Sequence, residues 1–198
     1  ALAGIYRNIG ETYSQMHQYA DVVAYEEAAM ALGGKVADEV LLCDGYEKLK
    51  KYDEAVRACA RAVEETGSLR ARYWRGRTLR EMGNPDAALP DFIAVADSED
   101  YYRSYAAIEV SMIYFNRHND QSALDALNKY AYLYDVEATG KSDVAVAYNN
   151  RCYAYMQLGE LKKALDDCTA SLKYDSLPDA YRKQQELIKR LDEKQTGL

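Results

Sequence analysis

The chain has 198 residues, 48% hydrophobic and 29% charged, with a net charge of −7 and a pI near 5.0. That is enough apolar material for a continuous core, which excludes a disordered chain, and an acidic chain lacks the positive field on which nucleic-acid binding usually relies. No stretch reaches the ~18–20 apolar residues a membrane helix needs; with only three prolines and eleven glycines, long helices are expected rather than many short strands.

The start, Ala1-Leu2-Ala3-Gly4, has no basic segment followed by an apolar core, so no signal peptide is visible. The missing initiator Met fits a processed or excised chain and leaves a removed targeting sequence open. In chain order, Ile9, Gly10, Tyr13, His17, Val22 and Ala29 mark a first helix pair over residues 3–35. Tyr46, Tyr52, Ala55, Cys59 and Ala62 mark a second over 36–68. Gly76, Leu79, Gly83, Ala88 and Phe92 mark a third over 69–103. There Asn84-Pro85 fits a helix start, and Pro90 is expected to kink the helix it falls in. Ser111, Tyr114, His118, Ala123 and Leu127 mark a fourth over 104–144, which carries an extended loop at 135–142. Within that loop, Thr139-Gly140-Lys141-Ser142 looks like the end of a phosphate loop. It lacks the first glycine and a preceding strand, so the reading is a loop with Ser142 capping the next helix.

Tyr148, Cys152, Tyr155, Gly159, Ala164, Cys168 and Ser171 mark the fifth and clearest pair, over 145–178. Residues 179–195 then form an amphipathic cap, with Tyr181, Leu187, Ile188 and Leu191 apolar among charged neighbours. The small residues Val22, Ala55, Ala88, Ala123 and Ala164 recur at spacings of 33, 33, 35 and 41.

This pattern resembles the tetratricopeptide repeat, whose period is ~34. The resemblance covers almost the whole chain. That family places bulky residues at positions four, eleven and twenty-four, small ones at eight, twenty and twenty-seven, and a turn at fifteen. It implies an all-α fold: a right-handed superhelical solenoid of about five antiparallel helix pairs, with a capping helix, as one domain over 1–198. Arg72, at a position usually bulky and apolar, departs from the pattern, as does Trp74, which does not stand at position four.

The four cysteines form no CxxC pair, and with two histidines they give no support to a metal site. No cofactor is implied. Cys43 and Cys59, like Cys152 and Cys168, fall at positions eight and twenty-four of one repeat. If position eight faces position twenty, the cysteines stand a turn apart and beyond the ~7 Å Cα limit of a disulfide. Buried free thiols are therefore expected, with a reducing, cytoplasmic setting mildly favoured. His17 and His118 sit in inter-helix turns, and the carboxylates spread along solvated faces, so no catalytic constellation and no enzyme is expected.

What remains is the inner face. In the family, positions two, five, six, nine and twelve of each first helix line a concave surface. They select Arg7 and Asn8 in the first pair, Arg70, Tyr73, Trp74, Arg77 and Arg80 in the third, Tyr105, Ile108, Met112 and Phe115 in the fourth, and Asn149, Asn150, Tyr153 and Met156 in the last. The peptide-binding groove is assigned to Arg7, Asn8, Arg70, Tyr73, Arg77, Arg80, Tyr105, Met112, Asn149, Asn150 and Tyr153. Asn8 and Asn150 stand where family members hold a peptide backbone. Three arginines on one stripe suit an acidic or mixed acidic–aromatic segment; a solvated stripe paired with Asp44 and Glu47 is the bland reading. The expected function is a scaffold or adaptor for another protein's peptide. A structural or self-associating module is the alternative, and nucleic acid is disfavoured.

Overall fold

A computed structural model describes residues 2–34 and 39–196; the expected boundary between the first two repeats, 35/36, lies outside them. Among the described residues there are helices and no strand. The chain divides into two compact units, residues 1–102 and 103–198. The first holds three helix pairs: α1 (Leu2–Gln15) with α2 (Tyr19–Ala31), α3 (Glu39–Lys48) with α4 (Tyr52–Thr66), and α5 (Leu69–Glu81) with α6 (Pro85–Ala96). The second holds α7 (Arg103–Asn116) with α8 (Asp120–Lys129), a 3₁₀ turn (Ala131–Tyr134), the single turn α9 (Val136–Thr139), α10 (Lys141–Gln157) with α11 (Leu161–Tyr174), and α12 (Pro178–Thr196).

The turns inside the pairs are built identically. His17, Lys50, Gly83, His118 and Gly159 all take the left-handed conformation, at φ 58°, 58°, 78°, 54° and 79°. The next N–H then donates back to the first helix: Gln18 to Tyr13, Lys51 to Tyr46, Asn84 to Leu79, Asn119 to Tyr114 and Glu160 to Tyr155, all at 2.9–3.0 Å. This closes the orphan carbonyls of the helix end. The histidines are thus turn residues, as expected. A left-handed residue with a side chain costs about 1–2 kcal/mol, and three of the five turns carry that cost.

A tight turn also fixes which residues stand level across a pair. Cys43 and Cys59 each lie eight residues from Lys51, and Cys152 and Cys168 each lie eight from Glu160. Both pairs are disulfides, with Cα atoms 5.2 and 5.3 Å apart. The expectation of free thiols is therefore wrong, and the preference for a reducing compartment loses the support it drew from them. The error lies in the register. Position eight is level with twenty-four, not twenty, because the turn is centred one residue after position fifteen. The same level pair is Gly10 with Glu26, where an added Cβ would lie 2.4 Å from Glu26 Oε1, and Gly76 with Phe92, where it would lie 3.0 Å from the ring. A small residue opposite a large one lets two helices approach; two cysteines meet the same need with a covalent bond.

One position earlier, two pairs carry a bidentate ion pair. Arg75 donates through Nε and a terminal nitrogen to Asp91, both at 2.7 Å, and Arg151 does the same to Asp167 at 2.6 and 2.9 Å. Hydrogen bonding to Asp91 raises the Arg75 pKa above its ordinary value. Arg72 joins the same carboxylate at 3.4 Å, which explains an arginine at a normally apolar position.

Pro90 falls inside helix α6, as expected; Asn84 caps the start by accepting from Ala87 N, and Ala88, Phe92 and Val95 are buried beyond it. Three local expectations change. The stretch 135–142 is not an extended loop, because Asp135 accepts from the N–H groups of Glu137 and Ala138 and nucleates α9. Ser142 caps nothing and lies inside α10, which starts at Lys141 after Gly140. On α12, Ala180, Leu187 and part of Leu191 pack inward, Leu187 and Leu191 onto Cys152, Met156, Leu161, Ala164 and Cys168. Tyr181 and Ile188 are exposed instead, since the buried stripe follows 180, 187 and 191 rather than 181 and 188.

Candidate functional site

The first unit brings Arg70, Arg77 and Arg80 onto one stripe of α5, but charges on the protein already engage them: Arg77 and Arg80 in ion pairs, and Arg70 through the field of the buried Asp44. Arg77 donates to Glu47 of α3 at 3.3 Å and lies over the Trp74 ring, 4.8 Å from its centroid. Lys48 lies over the same ring at 5.3 Å and pairs with Glu47 at 3.2 Å. Arg80 donates to its neighbour Glu81 at 2.6 Å. Asp44 is buried beside this network, and burial pushes its carboxyl pKa up against the pull of Lys48. Tyr73 is 7% exposed: its ring stacks on Tyr102 at 4.5 Å and meets Trp74 edge-on at 5.6 Å. Arg70 is exposed. On α1, Arg7 and Asn8 are exposed, and the Asn8 carbonyl accepts from the Thr12 hydroxyl at 2.9 Å. The α3–α5 face is thus an ion-pair network that closes over an indole, although the buried Trp74 Nε1 and Asp44 Oδ1 have no hydrogen-bond partner there.

The second unit is different. Met112, Phe115, Asn116 and His118 of α7 and its turn, Asn149, Asn150 and Tyr153 of α10, and Asp179 and Lys183 of α12 surround a concave pocket of about 570 Å³. Local spacing explains how they converge. Asn149, Asn150 and Tyr153 share one face of α10 at i, i+1, i+4, while Asp179 and Lys183 share one face of α12 at i, i+4. The Phe115 and Tyr153 rings meet edge-on at 5.2 Å. Lys183 Nζ lies 5.2 Å from the Tyr153 ring centroid, donates to Asn149 Oδ1 at 3.1 Å and pairs with Asp179. Asn149 Nδ2 donates to Asp179 Oδ2 at 3.3 Å. The Lys183 hydrogen bond holds the Asp179 carboxyl below its ordinary pKa. Asn150 Nδ2 is buried and has no hydrogen-bond partner. Met112 and Tyr153 are 42% and 36% exposed, so the apolar wall is open to a ligand.

Four groove residues read from the sequence, Met112, Asn149, Asn150 and Tyr153, therefore line one pocket. Tyr105 lies on α7, exposed and outside the pocket's lining; Met156 turns into the core at 7% exposure. Asn116, His118, Asp179 and Lys183 are pocket residues that repeat positions do not reveal. The i, i+4 spacing of Asp179 and Lys183 on one helix face was the available signal. Among the described residues no cluster could hold a metal ion and no helix is long and apolar enough to cross a membrane.

Paired helices with a left-handed turn, stacked through small residues, define a tetratricopeptide-like helical-repeat fold. No protein-family model and no curated protein sequence matches the chain. Solved structures do. The chain is similar to YrrB, described as a TPR protein with an unusual peptide-binding site, at TM-score 0.70 and 18% identity over 91% of this chain and 90% of that one. It is similar to residues 41 to the end of MamA from Desulfovibrio magneticus RS-1 at TM-score 0.70 and 18% identity, over 88% and 97%. A further MamA structure, from MSR-1, aligns at TM-score 0.65 and 17% identity over 95% and 97%. At these identities the likeness is one of fold.

Proposed function

We propose that this chain is a non-catalytic adaptor that holds a peptide segment of another protein, and that the α7–α10–α12 pocket is where it does so. The observation that carries the reading is the convergence of an open aromatic wall, Met112, Phe115 and Tyr153, with the unpartnered Asn150 amide in one concavity. A concavity that joins an apolar wall to placed polar groups is the usual form of a binding site, and here the polar share of the lining is large. The peptide-binding site described for YrrB supports the same use of this fold here. The regular period of the small residues supports reading all five pairs as one repeat domain. For the first unit, Arg70 remains the residue on which an acidic segment could pair, with Arg77 and Arg80 committed to Glu47 and Glu81.

The test is affinity capture with the wild-type chain beside Tyr153→Ala, read by mass spectrometry, with captured partners then rebound as purified proteins. A partner that binds wild type and is lost with Tyr153→Ala supports the adaptor. A chain that captures only itself, as a defined oligomer on sizing, favours a structural module instead.

A further inference from the structure

The charges around the second unit's pocket point to what it selects, given the adaptor reading on which this inference rests. Among the lining residues the fixed charges are Asp179 and Lys183, and they pair with each other. Lys183 is spent three ways: on Asp179, on Asn149 Oδ1 and on the Tyr153 ring. Its side chain is only 14% exposed. A ligand carboxylate or phosphate would have to pull this ammonium off Asp179 and strand that carboxylate. A ligand ammonium would have to take Asp179 from Lys183 and from Arg182, which donates to it at 3.0 Å. Either exchange trades one charge pair for another; a ligand cation that takes Asp179 strands the mostly buried Lys183, where that is costly, while a ligand anion strands Asp179, which is 48% exposed and loses less. Asn116 and His118 add polar groups to the lining; among the lining side chains, Asn150 Nδ2 is the buried neutral donor that lacks an acceptor, and a main-chain carbonyl supplies one without bringing charge. The walls offered to a side chain are a methionine, a phenylalanine and a tyrosine, the first adaptable in shape and the others rigid.

We infer that this pocket takes an uncharged peptide segment, one large aliphatic or aromatic side chain set against Met112, Phe115 and Tyr153 and a main-chain carbonyl on Asn150 Nδ2, and that the Asp179–Lys183 pair of α12 is the specificity element that rejects charged side chains. The last helix is then part of the recognition surface as well as a cover for Cys152 and Cys168.

The experiment is selection of a random dodecapeptide phage library on the full chain, followed by fluorescence anisotropy with the synthetic winners. Wild type should enrich peptides with a central Leu, Met, Phe, Tyr or Trp and few charges. Their affinity should fall about tenfold or more in Tyr153→Ala, as for a central aromatic contact, and clearly in Asn150→Leu. Asp179→Asn frees the Lys183 ammonium and should shift the selection toward peptides with Asp or Glu beside the apolar residue. Each variant is first shown to melt cooperatively; if Tyr153→Ala does not, Asn150→Leu and Asp179→Asn carry the test. Acidic winners on wild type, lost in Arg70→Glu and kept in Asn150→Leu and Asp179→Asn, overturn this inference and leave the adaptor standing. Enrichment of nothing by a folded wild-type chain overturns both.

Discussion

The inner faces of α5 and α10 occupy the same place in their repeats and have opposite characters. Where α5 has Tyr73, Trp74 and Arg77, α10 has Asn149, Asn150 and Tyr153. On α5 the aromatic residues are buried and the arginine closes over the indole to meet Glu47. On α10 the tyrosine stays open and a donor is left waiting. On α5 a cation closes over the aromatic ring and meets a carboxylate; on α10 Asn149 is engaged by Asp179 and Lys183, but Tyr153 remains 36% exposed. The difference is one of cover: both faces leave a buried donor without a partner, Trp74 Nε1 on α5 and Asn150 Nδ2 on α10, and only on α10 does an aromatic wall stay open beside it.

The comparison can be broken most strongly at the cross-links, one in each unit. The two disulfides close loops of equal length, sixteen residues apart in sequence, so chain entropy predicts equal losses. Cys43→Ser with Cys59→Ser, and separately Cys152→Ser with Cys168→Ser, should each cost about 3 kcal/mol, read from urea unfolding without reductant. A large inequality would show that strain or unfolded-state structure, not loop closure, sets their worth. Next come the ion pairs. Arg151→Met strands the buried Asp167 and should cost roughly 2–3 kcal/mol, at or somewhat below the usual figure for breaking a buried pair; Arg75→Met leaves Asp91 with Arg72 at 3.4 Å and should cost less. Thermal melting checks this.

Arg77→Glu sharpens the difference between the faces. It sets a carboxylate against Glu47 and uncovers Trp74, so it should lower stability by roughly 1–2 kcal/mol. Tyr153→Ala, at an open position, should lower it less. Equal melting of Arg77→Glu and wild type would mean the α5 stripe is a solvated face after all. The turns give smaller effects. Gly159→Ala should destabilise by about 1 kcal/mol, while His118→Gly should be neutral or stabilising by less than that, because relief of the left-handed strain is offset by a freer unfolded chain. The smallest effect is with pH. The Asp179 carboxyl sits below its ordinary value of 3.8 in the folded chain, so its pairing with Lys183 is present above that value and is lost as pH falls through the lower folded value. The loss should show in the pocket, as changed Tyr153 fluorescence or reactivity, well before global unfolding.

Much of this was legible in the sequence. The helix pairs, their turns at His17, Gly83, His118 and Gly159, and four of the pocket's residues follow from a repeating pattern of small and aromatic positions, because packing two helices at close range demands it at every repeat. The disulfides were missed because facing positions were counted from the family's small residues instead of from the turn that sets the register. Tyr73 and Arg77 stand on the expected stripe, and the pairing of that stripe with Glu47 of α3 was legible as its bland reading; the burial of Tyr73 was not, because it depends on Phe92 of α6 and on Tyr102 in the turn after α6, which carry no periodic signal. The contribution of α12 was hidden for a related reason: Asp179 and Lys183 read as an ordinary exposed i, i+4 pair until α10 is placed beside them. Residues 135–139 form a helical turn through one Asp135 cap, too short for any period to show.

The most direct measurement of the central claim is hydrogen–deuterium exchange of the full chain with and without a saturating selected peptide. The account predicts slowed exchange in α7, in α10 around Asn149–Tyr153 and in the first turns of α12, with α3 and α5 unchanged. Protection of α3 and α5 around Glu47 and Trp74–Arg77, with α10 and α12 unaffected, would contradict it.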